Sequence, residues 1–250
     1  MRTDKLAPAL TAFALLALPL ASVAEEGGSF PAAGNDIRNH ASLQRGARNF
    51  MNYCSGCHSA RYVRYNRIAK DLGIPEAELK TNLMFTSEKT FETIKISMLP
   101  DDAKKWFGTV PPDLSLIARA RSSDYISAFL HSFYADPSKP TGGNNTVLPG
   151  TAMPHVLADL QGVQQAVFAT HPGEGGSVAT EFEKFELPQP GALSPEKYHE
   201  FVRDTVNFLQ YIGEPIEAQR RDLGVWVTLF LLVFTAFAYL LYKEYWRDVH

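Results

Sequence analysis

Apolar residues recur at helical spacing through the middle of the chain. Leu43, Ala47, Phe50 and Cys54 follow one another at intervals of four, three and four residues, which places them on one face of a helix. Alternation of apolar and polar residues with a period of two is scarce, so the pattern predicts few strands. The helix that carries this face is predicted to start at Asn35 or Asp36. Another is predicted to start at residue 114, with Asp113 as its N-cap. Further helices are predicted over residues 67–72, 75–79, 87–98, 125–134 and 195–213.

Proline and glycine interrupt the helical pattern in one long segment. Residues 136–154 hold four prolines and three glycines in 19 residues, which predicts a loop. Unstructured loops of this length are uncommon in compact domains and are usually functional. The fold class predicted from the pattern is therefore mainly α, with long loops.

The N-terminal end of the chain resembles an export signal. Arg2 and Lys5 precede an apolar stretch over residues 9–20, and small residues follow before Glu25. This order is typical of a secretory signal peptide, here residues 1–24. An uncleaved anchor is the alternative, but the apolar stretch is shorter than the roughly 20 residues that a membrane span needs.

The C-terminal end carries a second apolar segment. Leu223 to Tyr242 are 20 residues without a charge, and at about 1.5 Å per residue they would cross the bilayer core. The segment is apolar on all sides, which disfavours a soluble helix with one buried face. With the signal peptide, it predicts an exported domain over residues 25–222, a transmembrane helix over 223–242 and a cytoplasmic tail over 243–250.

Composition excludes several classes of protein. Of 250 residues, 45% are hydrophobic and 20% are charged, which is ordinary for a globular protein and excludes collagen-like or wholly disordered chains. The net charge is −3 and no separate block of Lys and Arg is present, which argues against nucleic-acid binding. Two cysteines are too few for a scaffold held by disulfides.

Both cysteines fall in one motif. Cys54-Ser55-Gly56-Cys57-His58 has the C-x-x-C-H spacing of c-type haem attachment. Two thiols at this spacing can bond the two vinyl groups of one haem, and the next residue brings an imidazole to the iron. A thioredoxin-like dithiol would follow a strand, whereas a helical pattern leads into this motif, and a zinc site would need further ligands. The motif predicts one covalently attached haem c, with His58 as an iron ligand.

A second axial ligand would complete a six-coordinate haem. Met153 is favoured because it lies in the long loop, which can bring a thioether over the far face of the haem. Met51 is too close to the motif in sequence, and Met84 and Met98 have the spacing of core residues. His155 and a five-coordinate iron remain as alternatives. The other histidines considered are His40, His131, His171 and His199.

Charge is unevenly distributed along the chain. Residues 38–70 hold seven basic residues and no acid, whereas residues 174–186 hold four acids and one Lys. Two solvated surfaces are the simplest interpretation. A sharper hypothesis is that the basic stretch compensates the haem propionates and that the acidic stretch steers a cationic partner.

Four further segments of the chain are distinctive when taken together. They are LQRGARNFMNYCSGCHSARYVRYNR at 43–67, GTVPPDLSLIARARSSDY at 108–125, LPGTAMPHVL at 148–157 and LSPEKYHEFVRDTVNFLQYIGEP at 193–215. In sequence and in order they resemble the cytochrome c1 family of the bacterial cytochrome bc1 (ubiquinol:cytochrome c reductase) complex. With the two terminal segments, the resemblance extends over nearly all of the mature chain.

The resemblance implies roles for individual residues at the haem iron. Cys54 and Cys57 would attach the haem covalently. His58 would be the proximal iron ligand, and Met153 would be the distal ligand.

Further residues would surround the haem, again by resemblance. Pro111 and Pro112 would form a wall of the haem pocket. Arg121 would pair with a haem propionate, with Arg119 as its rival two residues away, and Tyr125 would also face a propionate. A propionate buried without a cation would be costly, which agrees with the assignment of an arginine.

The resemblance also implies a function. The chain would be an electron-transfer subunit of the respiratory chain with no catalytic chemistry of its own, carrying electrons from a Rieske iron–sulfur protein to a soluble cytochrome c or an equivalent acceptor. Cytochrome b would be its membrane partner. Its cytochrome c-type domain would lie in the periplasm, anchored by one helix in the bacterial inner membrane. A haem enzyme or sensor with an open iron position, and an anchored cytochrome of another oxidase chain, are the alternatives.

Overall fold

The computed structural model describes residues 30–172 and 178–248, so the predicted signal peptide lies outside the described residues. The chain divides into two units by its contacts, and the second unit is Pro31–His250. All helices and strands given below belong to the second unit.

Helices and short antiparallel sheets alternate along the described residues. The helices are α1 His40–Tyr53, α2 Tyr65–Leu72, α3 Glu76–Asn82, α4 Pro100–Phe107, α5 Ile117–Arg121, α6 Ser123–His131, α7 Ala158–Gln161, α8 Pro195–Gly213 and α9 Glu217–Tyr245. The strands are β1 Ala60–Arg64, β2 Thr93–Ile94, β3 Phe133–Ala135, β4 Gly143–Asn145, β5 Gly162–Pro172 and β6 Val178–Pro190. β1 pairs with β2, β3 with β4 and β5 with β6. About half of the described residues are helical, so the predicted mainly α class is confirmed only in part.

The core forms where α1 packs against α8. Phe50 and Phe208 are both fully buried, with ring centroids 5.7 Å apart. A Cβ at Gly46 would lie 2.0 Å from the carbonyl oxygen of Asp204, so a glycine is needed for this close approach. Arg45 Nε lies 2.5 Å from a carboxylate oxygen of Asp204, and the buried charge is thereby paired.

Several predicted helices are confirmed with small changes of boundary. α8 begins at Pro195, and the Ser194 hydroxyl caps its first turn as the sequence indicates. α1 begins at His40, four or five residues later than predicted. The reason is that the Asn39 side chain accepts the N–H of Ser42 and is therefore the N-cap.

The predicted helix over residues 87–98 is wrong. This segment forms turns and then β2, in which Ile94 is fully buried and pairs with Ala60 of β1. Pro100, just after this segment, occupies the first turn of α4. Proline has the φ angle of a helix and needs no N–H partner at that position, which makes it a favourable start.

The longest strands form a hairpin that the sequence pattern did not predict. β5 and β6 pair along almost their whole length. The register shifts between Val163 and Gln165 and again between Val167 and Phe168. Each shift breaks the period of two, so the apolar and polar residues do not alternate regularly along the strands.

The predicted loop over residues 136–154 is only partly irregular. It contains β4, where the fully buried Asn145 organises the neighbouring backbone. The Asn145 side chain donates to the carbonyl of Phe129 at 2.8 Å and accepts the N–H groups of Val147 and Leu148 at 2.9 and 3.1 Å. A buried amide that satisfies three backbone groups orders the segment that leads towards Met153.

The C-terminal helix α9 is long and apolar enough to cross a membrane, and it contains the predicted span of residues 223–242. The side chains along its apolar part are exposed. Its first residue, Glu217, is buried and is held by Gln210 at 2.9 Å and Arg221 at 2.5 Å. The base of α9 is therefore fixed to the domain by α8.

Candidate haem site

The Cys54–His58 motif follows α1 directly and forms a tight turn at its end. The N–H of Cys54 donates to the carbonyl of Phe50 at 2.9 Å, which continues the helical pattern by one residue. The N–H groups of Cys57 and His58 then both donate to the carbonyl of Cys54, at 3.0 and 2.8 Å. The backbone therefore keeps the two thiols and the imidazole within one turn.

One hydrogen bond fixes the ring of His58. Its Nδ1 lies 2.8 Å from the carbonyl oxygen of Pro112. A carbonyl can only accept, so Nδ1 carries the proton and Nε2 keeps a free lone pair. Burial lowers the pKa of His58, which favours the neutral imidazole. Histidines that bind metals usually have their other nitrogen held in this way.

The loop that carries Pro112 is held by Asp113. The Asp113 carboxylate accepts the Ser59 hydroxyl at 2.7 Å and the N–H groups of Arg61 and Ser115, each at 2.9 Å. Burial opposes the ionisation of Asp113, but the hydrogen bonds from Ser115, Arg61 and Ser59 outweigh it and hold its pKa below the usual value.

The role of Asp113 was missed in the sequence. The residue was expected to cap a helix, but α5 begins four residues later, at Ile117. Besides the nearby Ser115, its partners Ser59 and Arg61 come from the segment after the haem motif, 54 and 52 residues away in sequence. No local pattern indicates contacts across such a distance.

The two cysteines are free and half-buried, with no disulfide between them. Burial, with a smaller contribution from Cys57, raises the pKa of the Cys54 thiol to about 12. A protonated thiol is a poor metal ligand. Within residues 30–172 and 178–248, no group of three or more His, Cys, Asp or Glu residues could hold a metal ion. Two free thiols next to an imidazole with an available Nε2 fit a covalently attached haem.

The two arginines of α5 have different partners. Arg119 Nη1 lies 2.5 Å from a carboxylate oxygen of Glu214, so its charge is already paired. Arg121 has no carboxylate partner among the described residues, and its guanidinium lies 5.6 Å from the ring centroid of Tyr125. Of the two arginines, Arg121 is the one whose charge remains available.

The methionines differ in burial. Met84 is buried in the hydrophobic core, as its spacing predicts, and Met51 is buried there as well. Met98 is half-buried and lies outside the core cluster, so the core role expected for it is not observed. Met153 is also half-buried and lies between β4 and α7, downstream of the segment that Asn145 organises.

Two histidines have a buried nitrogen without a hydrogen-bond partner. His155, the alternative ligand, stacks on Phe133 with a ring separation of 4.9 Å and an angle of 1°. His131 donates from Nδ1 to the carbonyl of Ser127 at 2.7 Å, and its Nε2 has no partner among the described residues. Burial lowers the pKa of both histidines, which keeps them neutral. The remaining candidates, His40, His171 and His199, are exposed.

Comparison with known proteins complements this geometry. A model of the Cytochrome C1 family matches residues 35–165 and 193–249. The chain is 51% identical over 242 residues to the cytochrome c1 of Allochromatium vinosum, covering 96% of this chain and 98% of the relative. The chain belongs to the cytochrome c1 family. The resemblance noted in the sequence is thus confirmed.

Two further relatives show how far the similarity extends. The ammonia monooxygenase gamma subunit of Nitrosomonas europaea is 43% identical over 242 residues, covering 95% of this chain and 98% of that protein. The cytochrome c1 of Rhodospirillum rubrum is 27% identical over 257 residues, covering 83% of this chain and 81% of the relative. The cytochrome c1 model leaves residues 166–192 unmatched, and these form most of the hairpin of β5 and β6.

Membership of the cytochrome c1 family defines the general function of the chain. It is a c-type cytochrome that carries one covalently bound haem c and acts as an electron-transfer subunit of the bc1 complex. Helix α9 fits a single-pass protein of the inner membrane.

Proposed function

We propose that this chain takes one electron at a time from a Rieske iron–sulfur protein and passes it to a soluble cytochrome c or an equivalent acceptor. The observation that carries the proposal is the hydrogen bond from His58 to Pro112 beside two free thiols. It leaves one imidazole nitrogen available to iron at the point where a haem would be attached. No step that makes or breaks a bond in a substrate is assigned to the chain.

Four residues hold the haem in this proposal. Cys54 and Cys57 would attach it through thioether bonds, and His58, through Nε2, and Met153 would be the ligands of its iron. When bound, the haem supplies reversible one-electron exchange at its iron. The carbonyl of Pro112 keeps the proton on Nδ1 of His58, so the imidazole stays neutral and correctly oriented.

Other residues control the surroundings of the haem. Pro111 and Pro112 form a wall that limits the access of water. Arg121 pairs with a propionate in this proposal. The ion pair between Arg119 and Glu214 supports this choice, because it already neutralises the rival arginine. Tyr125 lies beside Arg121 and would also face a propionate in this proposal.

The proposal includes a topology. Residues 1–24 direct export, residues 25–222 lie in the periplasm, 223–242 cross the membrane and 243–250 remain in the cytoplasm. It is supported by the length and apolar surface of α9 and by the order of charged, apolar and small residues at the N-terminus. In this orientation the haem domain is on the side where soluble acceptors diffuse.

Cytochrome b is the proposed membrane partner, since a curated relative from Bradyrhizobium diazoefficiens is named cytochrome b/c1. A tagged full-length chain purified in mild detergent should bring down a b-type haem and a Rieske cluster, seen by visible and EPR spectra. Recovery of the c-type haem without either centre would contradict the proposed assembly.

A second assembly has one specific observation in its favour. The relative from Nitrosomonas europaea carries the name of an ammonia monooxygenase subunit. In that case the chain would deliver electrons within a monooxygenase assembly. Mass spectrometry of the same preparation separates the two, because cytochrome b and the Rieske protein would be replaced by monooxygenase subunits.

A further inference from the structure

An open cavity of about 410 Å³ lies beside the point where the chain leaves α8 and enters α9. Arg64, Asn66, Arg67 and Lys70 line it from β1 and α2, and Pro215 lines it from the short connection between α8 and α9. Among the described residues, none that lines this cavity is acidic.

The cations of this cavity are only partly neutralised. Arg67 Nε lies 2.5 Å from a carboxylate oxygen of Asp71, so this charge is paired. Arg64 donates to the carbonyl of Phe91 at 2.7 Å, which satisfies a donor but leaves its charge uncompensated. Lys70 is exposed and has no hydrogen bond or ion pair among the described residues. Two positive charges therefore remain at the cavity, which suits an anion.

The cavity lies close to the expected surface of the membrane. Helix α9 begins at Glu217, two residues after Pro215, and the apolar span begins at Leu223. The six residue steps from Glu217 to Leu223 correspond to about 9 Å of helix. The polar headgroup layer adds about 5–8 Å to each side of the hydrocarbon core, and charges act over about 8 Å at physiological salt. The Pro215 edge of the cavity is therefore within reach of the headgroup layer.

The height of the cavity above the membrane is fixed by contacts at the base of α9. The Glu214 carboxylate forms ion pairs with Arg119 of α5 and with Arg220 of α9, and the Glu214 side chain is mostly buried. Arg38 pairs with Asp222 at 2.5 Å, one residue before the apolar span. These ion pairs hold α9 against the domain, so the cavity stays near the bilayer.

We propose that this cavity binds the phosphate of an anionic phospholipid headgroup from the leaflet on the haem-domain side. Arg64 and Lys70 supply the unpaired charge, and the side-chain amide of Asn66 supplies a hydrogen-bond donor. Tyr62 also lines the cavity and is 75% exposed, and tyrosine is enriched at the level of the headgroups. The proposal rests on the proposed topology, in which α9 lies in the bilayer. It gives Arg64 and Lys70, at the end of the basic stretch of residues 38–70, a role away from the haem.

The test uses the full-length, haem-loaded chain, stripped of lipid in detergent. Phosphatidylglycerol or phosphatidylcholine is titrated in, and bound lipid is counted by native mass spectrometry. We expect phosphatidylglycerol to be retained in preference to phosphatidylcholine. Arg64→Gln with Lys70→Gln should weaken phosphatidylglycerol binding roughly 30-fold, because each cation near a membrane surface contributes about a factor of five.

Matched variants make the result specific. Lys184→Gln with Lys197→Gln removes the same charge from the hairpin and from the opposite end of α8, and should bind phosphatidylglycerol as the wild type does. Arg64→Lys with Lys70→Arg keeps both charges and should also retain binding. Equal binding by wild type and the Arg64→Gln, Lys70→Gln variant, or an equal loss in the hairpin control, would overturn the proposal.

Two further measurements separate related explanations. If inorganic phosphate at ionic strength matched with chloride displaces the lipid fully, the cavity is a site for free anions and the lipid proposal is wrong. Flotation with liposomes of phosphatidylcholine alone tests the anchor by itself. If the chain fails to float, the proposed membrane span is wrong. If the chain floats but the lipid titration shows no preference for phosphatidylglycerol, the span stands and only the proposed lipid site is wrong.

Discussion

At the scale of single residues, the site depends on contacts between segments that are distant in sequence. His58 is oriented by the carbonyl of Pro112, and Pro112 is held by the hydrogen bonds of its neighbour Asp113. The motif alone supplies the thiols and the imidazole. The loop over residues 108–116 decides which nitrogen of the imidazole is available.

Replacing Asp113 by Asn tests this arrangement. The variant loses charge-assisted hydrogen bonds from Ser59 and Arg61, and we expect a loss of roughly 1–3 kcal/mol in the free energy of unfolding. Denaturant unfolding of the haem-loaded protein measures it. Glu183→Gln on the exposed hairpin is the control and should change stability little.

The pH dependence of stability gives a second readout at Asp113. Its pKa is lowered in the folded protein, so the unfolded chain binds the proton more readily. The stabilisation from Asp113 is therefore complete above the usual aspartate pKa of 3.8 and is lost as the pH falls below it. Wild-type stability should fall more steeply below this pH than that of Asp113→Asn. Parallel curves for the two proteins would contradict the assignment.

Met153 carries the prediction for the distal ligand. Met153→His should keep the haem covalently attached but lower its reduction potential, because imidazole donates more electron density to ferric iron than a thioether does. Met153→Leu should remove the near-infrared ligand band. Met98→Leu, at a half-buried methionine outside the core, is the control. An unchanged potential and band in the Met153 variants would favour another ligand, with His155 as the alternative.

At the scale of elements, the packing of α1 against α8 determines the position of the haem motif, residues 54–58. The C-terminal end of α1 leads into the motif, and the packing of Phe50 on Phe208 fixes that end in the core. The hairpin of β5 and β6 instead projects partly exposed aromatic side chains, with Phe168 and Phe182 43% and 38% exposed. The core helices and the hairpin should therefore respond very differently to substitution.

Gly46→Ala tests the close approach of the two helices. The new methyl group would lie 2.0 Å from the backbone oxygen of Asp204, and backbone cannot move aside as a flexible side chain can. We expect a loss of roughly 3 kcal/mol in stability, although alanine is the better helix former. Asn52→Ala, on the exposed face of α1, should change the free energy of unfolding by less than about 0.5 kcal/mol. A Gly46→Ala variant as stable as the wild type would show that the helices can separate without cost.

At the scale of the whole molecule, ion pairs tie the haem domain to its membrane helix. Glu214 connects α5, through Arg119, to α9, through Arg220. The same α5 carries Arg121, the proposed partner of a propionate. The orientation of the haem domain relative to the membrane therefore depends on charges beside the site.

The proposed topology predicts the result of proteolysis on spheroplasts. Protease added outside should digest the haem domain and spare a short tag at the C-terminus. A chain ending before Leu223 should be exported as a soluble protein that still holds haem, because the core cluster lies within residues 33–212. Digestion of the tag with protection of the haem domain would reverse the orientation.

Much of this protein follows from local patterns in its sequence. The haem motif, the apolar span and the start of α8 at Ser194 and Pro195 each depend on residues close together in the chain. Chemistry at fixed spacing, length of apolar sequence and helix capping need no tertiary contact to be recognised. The order of the four family segments identified the family for the same reason.

Only the tertiary structure decided the rest, because these features depend on distant pairings. β2 replaced a predicted helix since Ile94 pairs with Ala60 across more than 30 residues, and the register shifts hid the hairpin of β5 and β6. Arg119 pairs with Glu214, which is 95 residues away from it, and no local pattern in the sequence indicates that pair. Periodicity reports which face of a segment is buried, but the partner that buries it or neutralises its charge is set by the fold.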